Sequence, residues 1–97
     1  MARPGETKAD GIGGHGQRID VWLWHARIAR TRGACQDIVA TGLVRINRVP
    51  TDKPHARVRA GDVLTVPQGD AVLVLRVVGF AQRRGTAADT RLLYEAL

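Results

Sequence analysis

The sequence predicts an α+β domain: a helix-turn-helix followed by a small, mainly antiparallel sheet, with a short helix at the C-terminal end. Three observations carry that expectation. Between residues 19 and 41, apolar side chains recur at helical spacing in two stretches, each headed by a residue with a capping side chain. From residue 43 onward the spacing changes to alternation, interrupted by Gly, Pro, Asn and Asp at turn intervals. A chain of 97 residues has room for one domain and leaves none for a separate catalytic one.

Helix one is expected to begin at Asp20, a good N-cap, with Ile19 before it and Trp24 inside it at the spacing of a hydrophobic staple. Trp22, Leu23, Ala26 and Ala29 fall on one face as the core stripe, and the helix should stop near Arg30. Val21, Trp24 and Ile28 form a second apolar ridge. Thr31 caps helix two, which carries Cys35, Ile38 and Val39 as its buried arc and spans about 32–41. Gly42 then stands where a left-handed C-terminal cap is needed.

Leu43 to Asn47 alternates as a half-buried strand, with Val44 and Ile46 inward and Arg45 outward. Asn47-Arg48 is the expected turn, and a left-handed Arg48 there would cost roughly 1 kcal/mol. Pro50 and Pro54 exclude a central strand from the irregular stretch Val49 to Arg59, leaving Lys53, His55, Arg57 and Arg59 on an exposed edge. Gly61-Asp62 turns the chain into the strand Val63 to Val66, and Pro67 to Asp70 makes the next turn. Ala71 to Gly79 is apolar on both faces and should be a central strand. Thr86, with Asp89 three residues on, has capping-box form and predicts a helix over about 87–95 that buries Leu92 or Leu93 with Tyr94.

Residues 1–17 are Gly-rich without apolar periodicity and are expected to be a disordered tail. Residues 18–81 are the expected domain, and 82–97 an extension packing on the free ridge of helix one. GIGGHG in the tail follows no strand and opens no helix at the spacing of a nucleotide-binding loop.

Charge separates these regions. The net charge is +6, yet residues 1–17 hold two bases and two acids, and residues 60–97 four of each. Residues 18–59 hold nine bases against three acids, so the whole excess lies on the helical corner and first hairpin. Arg30 and Arg32 flank Thr31, where helix two presents unpaired amides and its positive end, and Gln36 lies one turn on from Arg32. A polyanion is the implied partner.

Catalysis finds little to work with. His15, His25 and His55 lie apart, no pair of His or Cys has metal-ligand spacing, and there is no serine. No metal or cofactor is expected. The single Cys35 reads as a small core residue, and no apolar run is long enough for a membrane span, so a cytoplasmic setting is the expectation.

The series Arg18-Ile19-Asp20, Trp22-Leu23-Trp24, Arg27, Thr31-Arg32, Gly42, Val44 and Asn47 resembles the S4-type RNA-binding domain. The RIDVWLWHAR opening, the TR corner and the late QRR…LLYE segment resemble, more narrowly, the heat-shock protein 15 family of ribosome-associated proteins. The likeness covers roughly residues 18–95, and departs from the family at the hairpin, where Asn-Gly is usual and this chain has Asn47-Arg48. It implies docking on structured RNA through Arg18, Arg27, Arg30, Thr31, Arg32, Gln36 and Arg45, with Asn47, Arg48, Lys53 and Arg57 as further contacts. It further implies a non-enzymatic factor, expected to be a monomer, that binds ribosomal RNA of the large subunit. Relatives are associated with rescuing free large subunits that carry a nascent chain on transfer RNA after heat stress. Two rivals share the basic corner: a general DNA-binding module, and a helper subunit of an RNA-modifying enzyme.

Overall fold

The structure, a computed structural model, describes residues 16–81 and 89–97. Strand β1 (Gln17–Arg18) runs directly into helix α1 (Ile19–His25), and helix α2 (Arg32–Ala40) follows. Strands β2 (Val44–Ile46), β3 (Val49–Thr51), β4 (Arg57–Val58), β5 (Val63–Gln68) and β6 (Ala71–Val77) come next. A 3₁₀ turn (Asp89–Leu92) leads to the last strand, β7 (Tyr94–Ala96). The main sheet is antiparallel throughout, in the order β3-β2-β5-β6-β7, and β1 pairs separately with β4. The α+β class and the central place of β6 are as expected from sequence.

The core lies between the helices and one face of the sheet. Ile19, Trp22 and Leu23 of α1 and Cys35 and Val39 of α2 meet Val44, Leu64, Val66, Leu75 and Val77, all buried. Alternation sets which strand residues reach this layer: Leu64 and Val66 point in, while Val63, Thr65 and Pro67 between them stay half-exposed. Trp22 also donates its indole N–H to the Gly79 carbonyl at 2.9 Å and meets Tyr94 edge-on at 6.1 Å, so it is a core anchor rather than a stacking surface.

Helix α1 differs from expectation at both ends. Its N-cap is Arg18, with no side-chain cap bond. The first two amides are taken by distant carbonyls instead, Ile19 by Ala56 at 2.7 Å and Asp20 by Pro54 at 3.2 Å. Asp20 therefore sits inside the first turn, fully buried, and is not the cap. At the other end the helix stops at His25 rather than near Arg30. Arg27 takes φ 62°, its amide bonds the Trp24 carbonyl, and the Ile28 amide reaches back to Leu23 at 2.9 Å. This is a Schellman ending with arginine where glycine is usual, which hides it from a sequence reading.

Helix α2 follows its sequence signals. Thr31 caps it by accepting from the Ala34 amide at 2.9 Å, and Gly42 takes φ 79° just past its end. The stretch after Pro50 is more regular than expected: β3 is an edge strand, where a proline is tolerated, and β4 pairs with β1. Strand β5 continues through Pro67 and Gln68, so the turn is confined to Gly69-Asp70.

Gly16 and Gln17 pack against strand β4. Gln17 pairs with Val58, and a Cβ on Gly16 would meet the Val58 carbonyl at 1.9 Å, so only glycine fits that approach. The C-terminal segment is a 3₁₀ turn and strand where a helix over about 87–95 was predicted. Pairing with the free edge of β6 satisfies that strand's backbone, which an adjacent helix would leave open. Leu93 is buried and Leu92 is exposed, while Thr86 of the expected capping box lies outside the described residues. Among the described residues no helix is long and apolar enough to cross a membrane.

Candidate nucleic-acid interface

The outer side of the α1–α2 corner is organised around Asp20. Its carboxylate is fully buried and accepts from Arg18 through Nε at 3.1 Å and Nη2 at 3.0 Å. It also accepts from the Val21 amide at 2.8 Å and from Gln36 Nε2 at 3.0 Å, and Arg32 Nη2 lies 3.8 Å away. Arg18, Arg32 and Gln36 come from β1 and from the first two turns of α2, so one carboxylate ties the start of α1 to the anion-attracting end of α2. Both guanidinium side chains keep a wet side, 41% exposed for Arg18 and 47% for Arg32.

Burial pushes the Asp20 carboxyl up, but hydrogen bonds from Gln36 and Arg18, the Arg18 charge and the Val21 amide outweigh it, and the group is held below the usual value of 3.8. It is thus an anion at neutral pH and a counter-charge for the arginines around it.

The other expected contacts are distributed as follows. Arg57 is the strand partner of Arg18 and is exposed, its Nη1 donating to the Gly16 carbonyl at 3.2 Å. Lys53 is exposed beside Asp52 at 3.8 Å, on the same loop whose Pro54 carbonyl holds the start of α1. Arg27, Arg30 and Thr31 are exposed along the segment joining the helices. Arg45 points outward from β2, and Arg48 is exposed at the tip of the β2–β3 hairpin.

Asn47 differs from these in its bonding. Its Nδ2 donates to Asp62 at 3.0 Å and its Oδ1 accepts from the Val63 amide at 2.9 Å, so its amide holds the turn together. Asn47 and Arg48 take φ 51° and 74°, the sign that a type I′ turn requires at both central positions.

Asp20 is the residue that sequence reasoning missed as part of this surface. The signal was present: an acid two residues from Arg18, in a segment where bases outnumber acids three to one, is either a cap or a counter-charge. Local sequence does not separate the two, because the true partners of the first helical amides lie more than thirty residues away, at Pro54 and Ala56.

Comparison with known proteins decides what carries this surface. The S4 domain family model matches residues 17–64, the span from β1 into β5. The chain is similar to a heat shock protein 15 homolog from Aeromonas salmonicida, 35% identical over 95 residues, covering 98% of this chain and 67% of that one. The chain belongs to the heat shock protein 15 family. Heat shock protein 15 of Escherichia coli (strain K12) is 33% identical over 78 residues, or 80% of this chain and 58% of that protein. The family fold is shared as well: a structure of Vibrio cholerae heat shock protein 15, described as trimeric, superposes with TM-score 0.77 at 30% identity, covering 82% of this chain and 80% of that one. This chain spans about three-fifths to two-thirds of the length of these two sequence relatives. Membership makes it an RNA-binding, ribosome-associated protein, and the Asp20-centred corner falls inside the S4 match.

Proposed function

We propose that this protein docks on ribosomal RNA of the large subunit through the outer side of the α1–α2 corner, and acts there as a non-enzymatic recycling factor for large subunits left with a nascent chain on transfer RNA after heat stress. The observation that carries the docking part is the gathering of Arg18, Arg32 and Gln36 on one buried carboxylate, inside the S4 match. A guanidinium held at two points and still 41% exposed, as Arg18 is, with a second one beside it, is suited to bidentate contact with phosphates on a folded RNA, where position matters more than base sequence. Arg27, Arg30, Thr31, Arg45, Arg48, Lys53 and Arg57 extend the basic surface around that centre, and Asn47 supports it by shaping the hairpin that presents Arg45 and Arg48. The site of action is the cytoplasm, no cofactor is required, and one chain serves one RNA site.

Sedimentation of lysates through sucrose gradients, before and after a heat pulse, tests this reading. The protein is expected with free large subunits, in larger amount after the pulse. Sedimentation with small subunits or at the top of the gradient under both conditions would overturn the large-subunit role. Competition by duplex DNA at physiological salt checks the nucleic acid: structured ribosomal RNA should displace the protein from DNA and not the reverse. Analytical ultracentrifugation of the isolated protein settles the stoichiometry.

A further inference from the structure

We infer that Asp20, an acid within the basic surface, is the positioning residue of the RNA interface, holding Arg18 and Arg32 at the spacing that phosphates meet. This rests on the reading of that surface as the interface. Counting charge alone, an acid there is a defect, because it places a negative group beneath a polyanion. Its bonding says otherwise. Oδ1 accepts from Arg18 Nε and the Val21 amide, and Oδ2 from Arg18 Nη2 and Gln36 Nε2, so the acceptor capacity of the carboxylate is directed into the protein. Being fully buried, it presents no oxygen to a ligand.

Helix formation does not account for this set of bonds. An acid in the first turn satisfies the helix dipole from any rotamer, whereas Asp20 reaches across to Gln36 on the other helix and grips Arg18 at two points. A free arginine has many rotamers and loses that freedom on docking. One whose Nε and Nη2 are already held has lost it during folding, and its remaining N–H groups face water in a fixed plane. Arg32, at 3.8 Å, is steered by charge rather than by a hydrogen bond.

The sign of one substitution separates positioning from charge. Asp20→Asn raises the net charge from +6 to +7. If the surface works by net charge, that variant binds purified large-subunit ribosomal RNA more tightly and with a steeper salt dependence. If Asp20 positions the arginines, it binds about five- to tenfold more weakly, the loss expected from freeing one or two side chains. Affinities are measured well below the melting temperature of each variant and paired with Arg18→Gln/Arg32→Gln, alone and combined with Asp20→Asn. The expected result is that Asp20→Asn weakens the native surface but has no effect once both arginines are gone. Tighter or equal binding by Asp20→Asn overturns the inference, and so does an equal loss in both backgrounds, which marks a purely structural residue. If the double arginine variant itself binds like wild type, the interface reading fails first and takes this one with it. Should Asp20→Asn not fold, Arg18→Lys keeps the charge and breaks the two-point grip; it is expected to bind several-fold more weakly, and unchanged affinity overturns the inference.

Discussion

Two buried carboxylates organise the two basic regions of this protein, and they do different work. Asp20 at the helical corner accepts from the Arg18 guanidinium, the Gln36 side-chain amide and the Val21 amide, with the Arg32 guanidinium 3.8 Å away. Asp62 beside the tip of the β2–β3 hairpin binds neutral groups: it accepts from Asn47 Nδ2 at 3.0 Å and from the Arg59 amide at 2.8 Å. The first carboxylate fixes where arginine guanidinium groups sit. The second fixes backbone, leaving Arg45 and Arg48 on the surface of a well-shaped hairpin. A surface rich in arginine is therefore not uniform, and the difference lies in whether the side chain or only its Cα is held.

The largest effect that would sharpen this contrast is on stability. Asn47→Ala removes both amide bonds of the turn, leaves Asp62 short of a partner and puts alanine at φ 51°. It should destabilise the fold by about 2–3 kcal/mol, read from urea denaturation, while molecules that remain folded keep most of their RNA affinity. Arg32→Gln should show the reverse pattern. Urea midpoints are expected to stay near wild type, since Arg32 lies 3.8 Å from Asp20 on a half-exposed side chain, but RNA affinity should fall about five- to tenfold with a salt slope shallower by about one. Glutamate at this position is a poorer test, because it would set a second acid beside Asp20. If Asn47→Ala costs affinity and not stability, the division between the two regions is wrong.

What was readable in advance follows the same division. Helix α2 was legible because its signals are local: Thr31 bonds an amide three residues on, and Gly42 supplies a left-handed ending. Strand alternation pointed Val44 inward for the same reason, and it is fully buried. Helix α1 was misread at both ends because its stops are made by the fold. The Pro54 and Ala56 carbonyls take the opening amides, and Arg27 accepts a conformation that sequence reserves for glycine. The last segment was assigned to a helix from the Thr86 and Asp89 spacing, whereas the open edge of β6 recruited Tyr94–Ala96 as a strand. Of the candidate contacts, the arginines could be named from sequence, but the carboxylate that sorts them could not, since its partners span β1, α1 and α2.

A smaller effect bears on the Asp20 side of the comparison. Its pKa is lowered by folding, so the stability it contributes is fully present above the unfolded value of 3.8 and is lost as pH falls through the lower folded value. Denaturation midpoints of wild type and Asp20→Asn should therefore differ most above 3.8 and converge as the pH falls below it. A gap that widens on acidification would mean that the carboxylate is not stabilised in its ionised form.

The smallest effect is expected at the hairpin tip, and it probes the backbone half of the contrast. Arg48 sits at φ 74° in the second position of a type I′ turn, where glycine carries no steric penalty. Arg48→Gly relieves about 1 kcal/mol of left-handed strain but gives the unfolded chain more freedom, so the net gain should be a few tenths of a kcal/mol. RNA affinity should drop only about twofold, because an arginine with a held backbone and a free side chain gives up on docking much of what its contact returns. A loss as large as that of Arg32→Gln would place the hairpin tip on equal terms with the corner. In that case retention of arginine against its own backbone preference, at Arg48 as at Arg27, would rank with the buried carboxylate as a device for presenting charge to RNA.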